Sequence, residues 1–590
     1  MLIRPRYLIG PLLCSALLLA PLCGCSTTPA AKEKPAPAST ADVTALTVTA
    51  EAALKRGDCR TASEDYAQAA AKGDVQLARR GTQVAMACEH LPAAWQAATR
   101  WRSLAPNDRE ANALYAAVAL KLYRTQDAKV AIHEFWRIEE ERNALVPAPV
   151  APAGAPPVSA AAPRAAERTG RSMSELTALL LEESDASAVL IAMSGALEPG
   201  ANTPETLTLL GELSLAAYDG QRAARYAQLA LQHDPKDLAA LRVLARAYVM
   251  RGDAAQALAT ARQAKSDDAQ RGGLELADIL ASLDRSEEAH QELEGLRASG
   301  APQAEIDRRL ALLAFNSGDF KEAKQRFSEL VSTGEGNDGA QLYLADIALR
   351  NGDPDTALLQ YRRLYDSSVA LSARTRAAGL LLDRRSRTEA LALLDDYAAD
   401  HPEEELDLTL AKARLLADHG EPDTGLELLS AALERHPQHP SIEYDRAVIL
   451  EQAGHVNESV QALETMLQKR PDDPTLLNAL GYTLADHSLE LGHAEALIRK
   501  ALVVMPDNPA ALDSLGWVRF RSGDVKGATA MLERAYSLGH DSEIAAHWGE
   551  ALWVNGDRGE ARRVWAAALA RDPDSKPLKA TIKRFVPDAQ

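Results

Sequence analysis

Aromatic residues make up only 5% of this 590-residue chain. A core with so few large rings is filled by small and aliphatic side chains, which suits closely packed helices better than sheets. No run of alternating β-branched residues bounded by hairpin turns is present, so essentially no strand is expected. Catalytic constellations are missing as well. The chain has no His-Glu-x-x-His, no Gly-x-Ser-x-Gly, no phosphate-cradling glycine loop and no Cys-x-x-Cys. His133-Glu134 lacks a second histidine, and Gly334 to Gly339 lacks the carboxylate spacing of a calcium loop. His401, His436 and His439 fall at boundaries between helical units, where histidine beside proline reads as a turn residue. No enzyme activity, cofactor, metal or small-molecule substrate is therefore expected. Positive charge is also short, with 65 Lys and Arg against 83 Asp and Glu and a net charge of −18. That balance argues against nucleic acid and fits either basic protein partners or simple solubility.

Cysteines number five, and three of them lie in the first 25 residues. Arg4 and Arg6 precede a broken apolar run, Tyr7 to Leu22, too short for a membrane-spanning helix. It ends in Leu22-Cys23-Gly24-Cys25, which resembles the bacterial lipobox. The resemblance implies cleavage of residues 1–24 as a lipoprotein signal peptide and acylation of Cys25. Two or more acyl chains anchor stably where one does not. Ser26 in place of aspartate points, by the sorting rule of Gram-negative lipoproteins, to the outer membrane with the body facing the periplasm. Loss of Arg4 and Arg6 takes the net charge from −18 to −20. Cys59 and Cys88 remain. Cys59 follows the Gly57-Asp58 turn and Cys88 ends the next helix, at the same edge of a stacked array. A Cys59–Cys88 disulfide is expected in an oxidising compartment, with two buried thiols as the alternative.

The strongest positive signal is a period. Leu480-Gly481, Leu515-Gly516 and Trp548-Gly549 recur 35 and 33 residues apart, each opening a helical pattern. A turn follows each pair, at Leu491-Gly492, Gly523-Asp524 and Gly556-Asp557, and then a second helix rich in alanine. That helix carries one large apolar residue among its alanines: Ile498, Leu532 or Trp565. Turn markers extend the same register back through Gly454, Gly420, Gly352, Gly318, Gly252 and Gly220, a period of about 34. Prolines at 402, 437, 471, 506 and 573 keep step with it. This is the grammar of the tetratricopeptide repeat, a helical hairpin that cannot bury its apolar stripe without stacked neighbours. The expected fold is all-α, a right-handed superhelical tetratricopeptide-repeat solenoid. Its anticipated parts are a tether over 25–44, N-terminal repeats over 45–144, and an Ala/Pro-rich disordered insert over 145–171. The main array then covers 172–575, opened by a capping box at Ser172, and a capping helix and tail occupy 576–590.

In such arrays the first helices line a groove that receives peptide segments. Projecting the helical period puts Asn478, Tyr482, Asp513, Trp517, Phe520, Arg521, Glu550 and Trp553 on that side. Aromatics interleaved with charge fit a recognition patch, whereas Tyr482, Trp517 and Trp553 could equally be core between helices. The stretches Leu477 to Asp486, Leu512 to Val518 and Glu543 to Glu550 go beyond the generic repeat. They resemble a group of proteobacterial outer-membrane lipoproteins, the tetratricopeptide-repeat adaptors of a periplasmic carboxyl-terminal processing protease. The resemblance implies a non-catalytic adaptor that binds the protease and recruits protein substrates such as basic cell-wall hydrolases. The alternative is a scaffold for envelope machinery in secretion, polysaccharide export or outer-membrane biogenesis.

Overall fold

The computed structural model describes residues 40–145, 161–197, 203–334, 337–401, 404–436, 439–573 and 575–587. The leader, Cys25, the tether up to residue 39, most of the Ala/Pro-rich insert, and Pro402 and Pro437 lie outside the described residues. Among the described residues there are 31 α-helices and no strand, and no helix is long and apolar enough to cross a membrane. The chain forms two compact units. The first comprises residues up to Ala201 together with His401–Leu406 and Ser430–Ile442, and the second holds the remainder. Within each unit, successive helices pair into antiparallel hairpins and stack on the next pair. The fold is an all-α tetratricopeptide-repeat solenoid.

Most hairpins turn on a residue with left-handed backbone. Gly57, Gly252, Gly318, Gly352, Gly420, Gly454, Gly523 and Gly556 have φ between 75° and 99° there. An aspartate commonly follows and caps the second helix. Asp253 accepts from the Gln256 amide at 3.1 Å, and Asp524 from the Gly527 amide at 2.9 Å. Arg251-Gly252-Asp253, which spells an adhesion motif, is thus a hairpin turn. Two expected turn glycines are displaced. Gly220 opens a second helix and Gly492 lies inside one, while Tyr218 and Ser488 take the positive φ. Spacing found these turns to within a few residues, but the strained position itself tolerates a non-glycine in six hairpins, including Glu89, Asp284 and Arg385.

Glycine in the first helix serves close packing. A Cβ on Gly481 would lie 2.5 Å from Ile498 Cγ1, and one on Gly516 would lie 2.6 Å from Leu532 Cγ. On Gly549 it would lie 2.0 Å from Trp565 Nε1. The large second-helix residue therefore sits over the gap that the first-helix glycine leaves. Where Ala413 replaces that glycine, the exchange is reversed: Gly425 on the facing helix lets the Ala413 carbonyl approach to 2.8 Å of where its Cβ would be.

Three expectations need correction. The helix Ala161–Glu183 begins inside the expected disordered insert, so Ser172 is mid-helix and not a cap. Its hydroxyl instead donates to Glu139 at 2.6 Å. Cys59 and Cys88 are thiols here rather than a disulfide, and they share one apolar cluster with Tyr66 and Val84. Cysteine packs there as a small hydrophobe. The turn at Leu491-Gly492 is the third, since both residues are helical. In the C-terminal helix Lys576–Phe585, Leu578 is buried, while Lys576, Lys579, Lys583 and Arg584 are exposed.

Within the second unit, helix ends far apart in sequence meet. The Asp507 amide donates to the Tyr218 carbonyl at 2.9 Å, and the Asp507 carboxylate accepts from the Gly220 amide at 3.1 Å. Arg534 donates to both the Met250 carbonyl and Asp507. Asp284 is held by His540 and by Arg571, each at 2.8 Å. Lys576 reaches the Asp418 carbonyl at 3.2 Å. A row of hairpin turns is thus tied to the last repeats.

The two uses of glycine make opposite predictions. Gly549→Ala is expected to overpack against Trp565 and cost about 1–3 kcal/mol. Gly559→Ala, on a helix with nothing within 4 Å of the new Cβ, is expected to be neutral or to stabilise by up to about 1 kcal/mol. Denaturant melts of the two variants check this; equal effects would remove the packing role assigned to Gly549.

Candidate interaction face on the first helices

Three first helices, Pro474–Asp486, Pro509–Arg521 and Ser542–Asn555, carry most of the candidate residues. Proline or a capping Asp or Asn starts each one, so the backbone donors of the first turn are either absent or satisfied. Because each helix repeats the last one period later, side chains 31 to 35 positions apart become neighbours.

The Trp517 indole stacks on His547 with ring centres 4.1 Å apart and on Phe520 at 5.1 Å. Its N–H donates to Asp486 at 2.9 Å. Arg521 also reaches Asp486, at 3.4 Å, and donates to the Ser488 hydroxyl at 2.6 Å. One period further on, His547 Nδ1 lies 3.0 Å from the Asp513 carboxylate. The Tyr482 hydroxyl donates to Glu543 at 3.1 Å. Glu550 pairs with Arg584 of the capping helix, and Trp553 stacks on Trp565 and packs against Phe585.

Exposure divides the predicted set. Trp517, Asp513 and Glu550 are buried, at 6%, 5% and 8% of full exposure. They are core and cannot touch a partner directly, which decides for Trp517 the question that the residue pattern leaves open. Asn478, Tyr482, Phe520, Arg521 and Trp553 are half-buried and can. Asn478 Oδ1 is enclosed without a hydrogen-bond partner.

His547, Asp486, Glu543 and Glu451 are not among the residues that the helical projection puts on this face, yet they complete the network. The signal for His547 was available. Asp513 sits among apolar residues of a helix, and a buried carboxylate needs a cation. One period away, His547 supplies it. Burial alone would lower the His547 pKa, but Asp513 outweighs it and holds the imidazole above its usual value of 6.5. Burial raises the Glu550 carboxyl, with Arg584 opposing. Glu451, Asp486 and His487 bring ligand atoms within 4.8 Å of one another. Protein groups already engage them: Thr483 and His487 on Glu451, Trp517 and Arg521 on Asp486.

With this geometry in view, similarity to known proteins is informative. Residues 308–371 and 410–474 match the tetratricopeptide repeat family. The chain carries tetratricopeptide repeats. A tetratricopeptide repeat-containing protein of Pseudomonas aeruginosa, PA4667, is 29% identical over 248 residues, 42% of each chain. The mouse protein O-mannosyl-transferase TMTC1 is 27% identical over 141 residues, 23% of this chain and 15% of that one. The chain thus spans less than half the length of the curated relatives it matches. Among solved structures, the thermophilic tetratricopeptide-repeat protein TTC0263 of Thermus thermophilus aligns at 25% identity with a TM-score of 0.27. It covers 29% of this chain and 94% of that one. The Cut9–Hcn1 complex of the APC/C aligns at 14% identity and a TM-score of 0.29, covering 92% of this chain and 99% of that one. Tetratricopeptide arrays in general offer extended surfaces of the kind that bind other proteins.

The His547–Asp513 pair has a pH signature. Its stabilisation is complete below the unfolded histidine value near 6.5 and is lost as pH rises through the raised folded value. Thermal melts are expected to show a lower Tm at about pH 8.5 than at about pH 6, and the difference should shrink in Asp513→Asn. An unchanged difference in that variant would mean that the pair is not responsible.

Proposed function

We propose that this chain is a non-catalytic, lipid-anchored adaptor of the outer membrane. One surface binds a periplasmic carboxyl-terminal processing protease, and another recruits protein substrates such as basic cell-wall hydrolases. The observation that carries the reading is the half-exposed strip Asn478, Tyr482, Phe520, Arg521 and Trp553 on successive first helices. Aromatic and arginine side chains held by a rigid scaffold are the chemistry of interface hot spots. Trp517 underpins the strip by stacking, so Phe520 and Arg521 present a fixed shape rather than a mobile one.

Joining protease and substrate on one body raises their effective concentration without new contacts, and a lipid on Cys25 confines the assembly to the membrane. The net charge of −18 suits basic substrates. The resemblance of residues 477–486, 512–518 and 543–550 to the protease-adaptor lipoproteins names the protease class.

Two measurements test the reading. In a reconstituted mixture of lipoprotein, protease and a basic hydrolase, cleavage is expected to accelerate with the chain present. The double variant Phe520→Ala/Arg521→Ala is expected to weaken capture roughly tenfold or more. A cleavage rate indifferent to the wild-type chain sinks the adaptor role and leaves scaffolding of other envelope machinery. Separately, Cys25→Ala is expected to abolish acyl labelling and move the protein to the soluble fraction. Retention of both label and membrane association would remove the anchor.

A further inference from the structure

The first unit has a groove of about 800 Å³ that the adaptor reading does not use. Its walls come from the second helices Leu91–Leu104 and Thr125–Ala144 and from Ala186–Leu197, with Tyr115 reaching in from Arg109–Lys121. Three cationic or protonatable side chains line it: Arg102, Lys129 and His133. One carboxylate, Glu134, lies among them.

Each of these groups is positioned. Arg102 Nε donates at 2.9 Å to Asn112 Oδ1, a fully buried amide that is itself fixed by bonds to the Pro106 and Asp108 carbonyls. The guanidinium then lies over the Tyr115 ring, 4.8 Å from its centre. Lys129 runs along the backbone at Gly195. A Cβ on Gly195 would meet Lys129 Cδ at 3.1 Å and Nζ at 3.4 Å, a tight contact that would shift the lysine by a few tenths of an ångström. His133 Nδ1 is 3.0 Å from the Ala196 carbonyl, which can only accept, so Nδ1 carries the hydrogen and Nε2 stays available. Among the described residues no carboxylate forms an ion pair with Arg102 or Lys129, and the groove's own Glu134 is taken by Arg137. Between the cations the wall is apolar. Val130 is 56% exposed beside Tyr115 and Ala196.

We propose that this groove binds an acidic peptide segment of a partner protein, with an apolar side chain seated on Tyr115 and Val130, carboxylates meeting Arg102 and Lys129, and a peptide N–H donating to His133 Nε2. The volume is of the size that encloses several residues and far exceeds a single inorganic anion. Arginine held edge-on by a buried amide offers its outer nitrogens to a carboxylate in the bidentate geometry. The overall negative charge disfavours a nucleic acid or an anionic membrane as the occupant.

The test uses the purified full chain and fluorescence anisotropy of a labelled heptapeptide alternating glutamate and leucine. Saturable binding is expected, weakened at least tenfold in the glutamine isostere of the peptide. It should weaken similarly in the chain variants Lys129→Glu and Arg102→Gln/Lys129→Gln, and in Val130→Asp. The Phe520→Ala/Arg521→Ala variant is expected to bind this peptide like wild type, which separates this groove from the first-helix strip. Thermal melts establish that each variant is folded, and Lys129→Glu, a change at the groove surface, keeps the test decisive if Arg102→Gln is unstable. The proposal is overturned if the acidic peptide does not saturate, if its glutamine isostere binds equally well, or if Lys129→Glu in folded form leaves binding unchanged.

Discussion

Everything in this chain depends on two helices of a hairpin coming close enough to hide a shared apolar stripe. The contact is asymmetric. A residue without a side chain on one helix faces a large one on the other, as with Gly481 and Ile498, Gly516 and Leu532, and Gly549 and Trp565. Dispersion and burial favour the pair only because the gap and the filling residue match. Reversing the roles preserves the contact, which is why Ala413 on a first helix is tolerated opposite Gly425. A hairpin closed this way still has an open apolar edge, so it must stack, and stacking places each side chain beside its counterpart one period away.

That consequence builds the candidate interaction face. Ion pairs and stacked rings join residues 31 to 36 positions apart: Asp486 with Trp517 and Arg521, Asp513 with His547, Glu451 with His487. The buried members orient the half-exposed ones. Trp517 contributes by holding Phe520 and Arg521 in place, without touching a partner itself. The same logic operates in the groove of the first unit, where buried Asn112 orients Arg102 and Lys129 lies against Gly195.

Legibility followed the range of the interaction. The helix pairs and their close-packing glycines were readable because each is specified by residues within one or two periods. Turn positions were readable only approximately. Left-handed backbone at Tyr218 and Ser488 carries no glycine to mark it, and the nearby glycines at 220 and 492 mislead. The start of the helix at Ala161 was hidden by an alanine and proline composition that is compatible with both helix and disorder. Five of the eight predicted face residues are accessible and three are core, a distinction that helical periodicity cannot draw, since a residue on the groove side is buried or not according to its neighbour's size.

By itself, then, the amino-acid sequence determined the repeat, its period, the all-α class and the helix faces, since these follow from local spacing and from the need to cover one apolar stripe per hairpin. Tertiary structure alone decided which turns meet. The ties of Asp507 to Tyr218 and Gly220, and of Asp284 to His540 and Arg571, join residues 256 to 289 positions apart. Their partners are set by the small rotation between neighbouring repeats summed over many units. No single repeat encodes that sum, so no local pattern could announce it.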